Sequence, residues 1–95
     1  MLENNCLQTL PDSMGDLENL IDLDLRRNQL HFLPESVGNL KRLRFLDLSD
    51  NKLPLLPKSL LHLTHLEKLD LRWNNGLVIP EWFQELESRG CTIYH

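Results

Sequence analysis

Cysteine is nearly missing from the chain: Cys6 and Cys91 are the only two in 95 residues, and they lie near opposite ends. Two such residues do not make the closely spaced set that staples a small secreted domain. Each reads instead as a small buried hydrophobe. No Asn-x-Ser/Thr sequon occurs, no charged-then-apolar leader opens the chain, and no apolar run approaches the roughly 18 residues of a membrane span. Together these absences predict a reducing, cytoplasmic setting and no membrane insertion. Positive charge is also in deficit. A net charge of −4 without a basic stripe argues against nucleic acid as a partner, while leaving a basic protein partner open. Gly-rich phosphate loops, Walker motifs and dinucleotide fingerprints are all missing, so no cofactor is expected.

What the chain does have is a period. Asn5, Asn28, Asn51 and Asn74 recur every 23 residues, as do Pro11, Pro34, Pro57 and Pro80. Leu17, Leu40, Leu63 and Leu86 keep the same interval, with shorter ladders at Leu20/Leu43/Leu66, Leu23/Leu46/Leu69 and Leu25/Leu48/Leu71. This many registers at one period mark a stacked array. Within each unit the stretch around Leu46 and Leu48 alternates apolar and polar, which predicts a strand with one buried face. After Pro57 the apolar residues Leu60, Leu63 and Leu66 recur at every third position, which suits a short helical or 3₁₀ return. One such coil cannot cover its own apolar edge, but stacked copies can. The recurring Asn is expected to form a structural ladder, its side-chain amide serving backbone groups that the turn leaves unpaired.

The run Leu-x-x-Leu-x-Leu-x-x-Asn-x-Leu-x-x-Leu-Pro, as in Leu43 to Pro57, resembles the leucine-rich-repeat family. Its 23-residue form is similar to the intracellular Ras-group and bacterial cytosolic members. The resemblance runs from Leu2 to about Leu86 and implies an α/β solenoid. Expected features are a curved right-handed coil, parallel strands on the concave face and short helical or 3₁₀ turns on the convex face. It also implies a protein partner on the concave side, and the Ras-group likeness suggests a small GTPase or another signalling enzyme. Three departures stand out. Gly76 replaces the Leu of Leu7, Leu30 and Leu53, so that Asn75-Gly76 predicts a tighter bend. Leu61 replaces Gly15 and Gly38, and Met1-Leu2 begins part-way through a strand.

The array is expected over residues 1–79 and a carboxyl-terminal cap over 80–95. In the cap, Pro80–Leu86 forms a helical turn stopped by Gly90, and Cys91–His95 adds a final half-strand. Trp82 and Phe83 cover the open core. No equivalent cap precedes Leu2, which predicts a fragment of a longer array, or self-association through the amino-terminal edge.

Strand alternation then assigns the partner face. Six positions before each Asn come Asp22, Phe45 and Lys68, and four before come Met1, Asp24, Asp47 and Asp70. Two before come Glu3, Arg26, Ser49 and Arg72, while Asn4, Arg27, Asp50 and Trp73 form the rim. Of these, Asp22, Asp24, Arg26, Arg27, Phe45, Asp47, Ser49, Lys68, Asp70, Arg72 and Trp73 are the candidate contacts. Exposed Trp and Arg are the types that most often dominate an interface. Ser13, Ser36 and Ser59 recur with the fold, which is a structural rather than a nucleophilic pattern. His62 and His65 have no further ligand near them in the pattern, so no metal is expected, and the aspartates lack a pocket for acid–base work. The expected function is therefore a non-catalytic interaction module or scaffold. The rival readings are a regulatory arm of a larger kinase, GTPase or ubiquitin ligase, and a purely structural cap.

Overall fold

The structure, a computed structural model, describes residues 7–95. The expectations for Met1, Leu2, Glu3, Asn4, Asn5 and Cys6 fall outside the described residues. Three short strands appear where the alternation predicts them, β1 (Asp22–Asp24), β2 (Phe45–Asp47) and β3 (Lys68–Asp70), and a fourth, β4 (Thr92–Tyr94), lies in the carboxyl tail. They form one parallel sheet in chain order, in a register that places Leu23, Leu46, Leu69 and Ile93 side by side. The ladder continues past the strand ends, since the amides of Leu25, Leu48 and Leu71 donate to the carbonyls of Asp47, Asp70 and Tyr94 at 2.7–2.9 Å.

Each of the first three strands is left through a residue with positive φ. Arg27, Asp50 and Trp73 have φ of 57°, 57° and 61°, which swings the backbone out of the sheet one step before each Asn. The Asn side chains then tie the coils together. Asn51 donates to the carbonyls of Leu48 at 2.9 Å and of Leu25, one coil earlier, at 3.0 Å, while its oxygen accepts the Leu30 amide at 3.1 Å. Asn74 repeats this pattern with Leu71, Leu48 and Leu53. Asn28 accepts the Leu7 amide and donates to Leu25.

The return segments are 3₁₀ turns at Asp12–Asp16, Glu35–Asn39 and Lys58–His62. Pro11, Pro34 and Pro57 stand just ahead of them in extended conformation, with φ between −67° and −73°. Their carbonyls accept the i+3 amides of Met14, Val37 and Leu60, so proline supplies a fixed φ and an acceptor where no donor is needed. Close stacking of these turns explains Gly15 and Gly38. A Cβ on Gly38 would lie 2.6 Å from the Ser59 carbonyl oxygen and 2.8 Å from its Cβ. Leu61 escapes this limit because the next coil changes form: a true helix, α1 (Phe83–Ser88), replaces the 3₁₀ turn.

The core is one continuous column of leucine. Leu25, Leu30, Leu40, Leu43, Leu46, Leu48, Leu53, Leu60, Leu63, Leu69 and Leu71 are almost fully buried, each contributing about 1.5–3 kcal/mol. Phe83 and Leu86 close its far end, with Trp82 packed edge-on to Phe83 at 5.1 Å. Leu17, in the first described turn, is by contrast exposed. Helix α1 ends where Gly90 takes φ +96°. The Gly90 amide donates to Glu87 and the Cys91 amide to Leu86, the paired bonds of a Schellman terminus. Gly76 likewise takes φ +83° in the Asn75-Gly76 bend.

Candidate functional site

Strand pleating sends the even-numbered positions of β1 and β3, and the odd-numbered ones of β2, away from the leucine core. Three rows result on the open face of the sheet: Asp22–Phe45–Lys68, Asp24–Asp47–Asp70 and Arg26–Ser49–Arg72. Two hollows flank the central aspartate row. One, of about 290 Å³, is lined by Asp22, Phe45 and Lys68 together with the aspartates and Arg26. The other, of about 480 Å³, is lined by Arg26, Arg27, Ser49, Asp50, Arg72 and Trp73 with Asp47 and Asp70. A larger depression of about 620 Å³ lies outside this face, between Phe32 and Asn39, and it has no convergent charged groups beyond Asp12 and Glu35.

The aspartates do not stand as a bare column of like charge. Arg26 bonds Asp24 through Nε at 3.0 Å and Nη2 at 2.9 Å, and its Nε also lies 3.6 Å from Asp47. Asp47, which has only Phe45 and Ser49 beside it on its own strand, therefore shares the cation of the neighbouring one. Arg72 grips Asp70 in a fork, Nε to Oδ1 at 3.0 Å and Nη2 to Oδ2 at 2.7 Å. For Asp24 and Asp70, burial pushes the carboxyl pKa up, but the arginine and backbone hydrogen bonds outweigh it and hold both below the usual carboxylate value.

Two expected contact residues are not exposed. Ser49 is buried, because its short side chain folds back to donate its hydroxyl to Asp47 Oδ1 at 2.7 Å, forming the floor of the second hollow. Asp70 is only 4% exposed, set between Asp47 and Tyr94 in the sheet and bonded to Arg72. Asp22, Arg27, Lys68, Arg72 and Trp73 are exposed, while Asp24, Arg26, Phe45 and Asp47 are half-buried. Trp73 is 68% exposed, and the Arg72 guanidinium lies 5.3 Å from its ring centroid.

Tyr94 joins this face without having been expected there. The Arg72 guanidinium and the Lys68 ammonium each lie 5.3 Å from its ring centroid. The last repeat is one residue longer than the others, so that Asp70 pairs with Tyr94 rather than with residue 93; a strict 23-residue count misses it. A second overlooked feature is the exposed ladder Phe32, Leu55 and Val78, at 50%, 63% and 59% exposure. The 23-residue interval itself would have revealed it.

Ser36 and Ser59 have buried hydroxyl oxygens without a hydrogen-bond partner among the described residues, and Ser59 lies against Gly38. His62 and His65 are exposed, and no group of metal-ligating side chains occurs among the described residues. Burial raises the Cys91 thiol pKa to about 11, with Glu87 adding to the shift. No helix of the described residues is long and apolar enough to cross a membrane.

Comparison with known proteins agrees with this architecture. The leucine-rich-repeat family profile matches residues 1–53 and 18–77. A solved structure of a leucine-rich-repeat protein from Leptospira interrogans superposes with a TM-score of 0.83 at 33% sequence identity, over 96% of this chain. The chain spans 23% of that protein's length. No curated protein matches the sequence.

Proposed function

The chain belongs to the leucine-rich-repeat family, and on that premise we propose that its open sheet face is the docking surface for another protein. Repeats of this family generally serve as protein–protein interaction modules. The observation that carries the reading for this chain is Trp73. All three coils require positive φ at the position before Asn, where a bulky aromatic residue is strained by roughly 1–2 kcal/mol. Tryptophan there also leaves 68% of itself in solvent. Neither feature serves the fold, whereas a partner surface would bury the ring and draw binding energy from it.

The reading is of a non-catalytic module. Asp24 and Asp70 are held ionised by Arg26 and Arg72, and the face they occupy is open to water rather than enclosed as acid–base chemistry requires. A reducing, cytoplasmic setting suits the unpaired, buried Cys91 thiol. Likeness to the Ras-group repeats points to a small GTPase or another signalling enzyme as that partner.

The test is a pull-down from native lysate with the wild-type chain and an Arg26→Glu/Phe45→Ala/Trp73→Ala variant, matched by circular dichroism and urea midpoint. A partner held by the wild type and lost by the variant supports the reading. Identical sets of retained proteins would place binding elsewhere on the molecule.

A further inference from the structure

The row Asp22–Phe45–Lys68 differs from the two rows beside it. In those, each carboxylate has an arginine partner: Arg26 serves Asp24 and, more distantly, Asp47, while Arg72 serves Asp70. Asp22 has no cation within 4 Å among the described residues, and Lys68 has no carboxylate there. Both side chains are exposed. They sit in register on β1 and β3 with Phe45 of β2 directly between them, and all three line the hollow of about 290 Å³. An anion, an aromatic ring and a cation thus lie in order across three strands.

An ordinary soluble surface tends to let opposite charges this near each other pair or be screened. Here the strand spacing separates the two Cα atoms by about 9–10 Å, two steps of about 4.8 Å. Phe45 stands between them in register, with the Arg44 guanidinium 5.3 Å from its ring centroid, and the Lys68 ammonium leans away over Tyr94, 5.3 Å from that ring. The two charges are thereby kept apart, Lys68 acting only through space on Asp70 of its own strand. In an extended polypeptide, alternate side chains share one face and residues i and i+4 are about 13 Å apart. That span suits the distance from Asp22 to a lysine head displaced towards β4.

We propose that the Asp22–Phe45–Lys68 row reads an extended partner segment that crosses the strands with a basic, an apolar and an acidic side chain at alternate positions. The basic group pairs with Asp22, the apolar group packs on Phe45, and the acidic group pairs with Lys68. This rests on the open sheet face being the docking surface, and it adds a sequence rule and a direction. Because the charges of the row differ in sign, the segment is held in one orientation across the sheet, and two like charges at its ends are rejected.

The experiment titrates the 95-residue chain, isotope-labelled for NMR, with three acetylated and amidated peptides in 50 mM salt. They are Ser-Arg-Thr-Leu-Thr-Glu-Ser and two like-charged controls, Ser-Arg-Thr-Leu-Thr-Arg-Ser and Ser-Glu-Thr-Leu-Thr-Glu-Ser. The first is expected to bind at least about tenfold more tightly than either control and to shift the amides of β1, β2 and β3. Lys68→Glu should move the preference to the doubly basic peptide, and Asp22→Lys to the doubly acidic one. Both substitutions are at exposed positions, so folding is not at risk. Equal binding of all three peptides, an unchanged ranking in the variants, or no shift on the sheet face would each overturn the sequence rule. The lysate experiment reads the broader proposal separately. A partner lost by the Arg26/Phe45/Trp73 variant but retained by both charge-reversed chains would sink this row and leave the face intact.

Discussion

The side-chain oxygen of Asn51 accepts the backbone N–H of Leu30 at 3.1 Å, joining positions 21 residues apart in sequence and one coil apart in space. The same amide group donates to Leu48 in its own coil and to Leu25 in the coil before. With the Ser49 carbonyl at 3.2 Å, a single buried side chain therefore bonds four backbone groups on two coils, all at buried residues.

Replacing Asn51 with alanine should consequently cost more than one ordinary hydrogen bond. Leaving several buried backbone groups unpaired predicts a loss of about 2–4 kcal/mol, at about 1–3 kcal/mol for a single orphaned group with partial relaxation. Urea unfolding followed by circular dichroism measures it. A loss below about 1 kcal/mol would mean that the ladder is not what couples the coils.

Gly38→Ala addresses the other side of each coil. The new Cβ would meet the Ser59 carbonyl at 2.6 Å, a backbone atom that cannot rotate away. Destabilisation of about 1–3 kcal/mol is expected, as for other overpacked sites. Leu61→Ala should behave differently, through lost packing alone, since Leu61 is already accommodated against the core. The pair is compared by thermal and urea unfolding.

Acid should weaken the fold through Asp24 and Asp70. Both have folded pKa values below the ordinary carboxylate value of 3.8. Their stabilisation is fully present above the unfolded pKa and is lost as the pH falls through the folded values. Urea midpoints should thus hold steady from pH 7 to about pH 5 and decline below pH 4. Asp70→Asn should flatten that decline, and an unchanged acid limb would show that its ion pair is not linked to folding.

Trp73→Gly separates binding from stability. Glycine relieves a left-handed backbone strained by roughly 1–2 kcal/mol, while the exposed Arg72–Trp73 contact that is lost is worth about 0.5–1 kcal/mol. The two effects nearly cancel, so the urea midpoint should change by less than about 1 kcal/mol in either direction. Partner retention should nevertheless fall by more than tenfold.

Periodicity carried most of the fold because each repeat poses the same packing problem and answers it with the same residues. The leucine ladders, the Asn positions and the proline-led returns are all local consequences of a coil that must stack. The site was less legible. Ser49 alternates outward as expected, yet a hydroxyl two positions from a carboxylate bonds to it and drops out of reach. Tyr94 escaped notice because the longer α1 coil adds one residue and shifts the register. The positive φ at Arg27, Asp50 and Trp73 has no sequence signature, since no glycine or asparagine occupies those positions. Long-range pairings such as Arg26 with Asp47 depend on side-chain reach between strands, which spacing alone does not determine.

The most direct test of the docking face is cross-linking from a single residue on each side of the molecule. A photoreactive benzoylphenylalanine is placed at Phe45 on the sheet face or at His62 on the 3₁₀ side, and each chain is irradiated in native lysate. The account predicts a discrete adduct from position 45 that Trp73→Gly abolishes, and none from position 62. An adduct from position 62 with none from position 45 would contradict it.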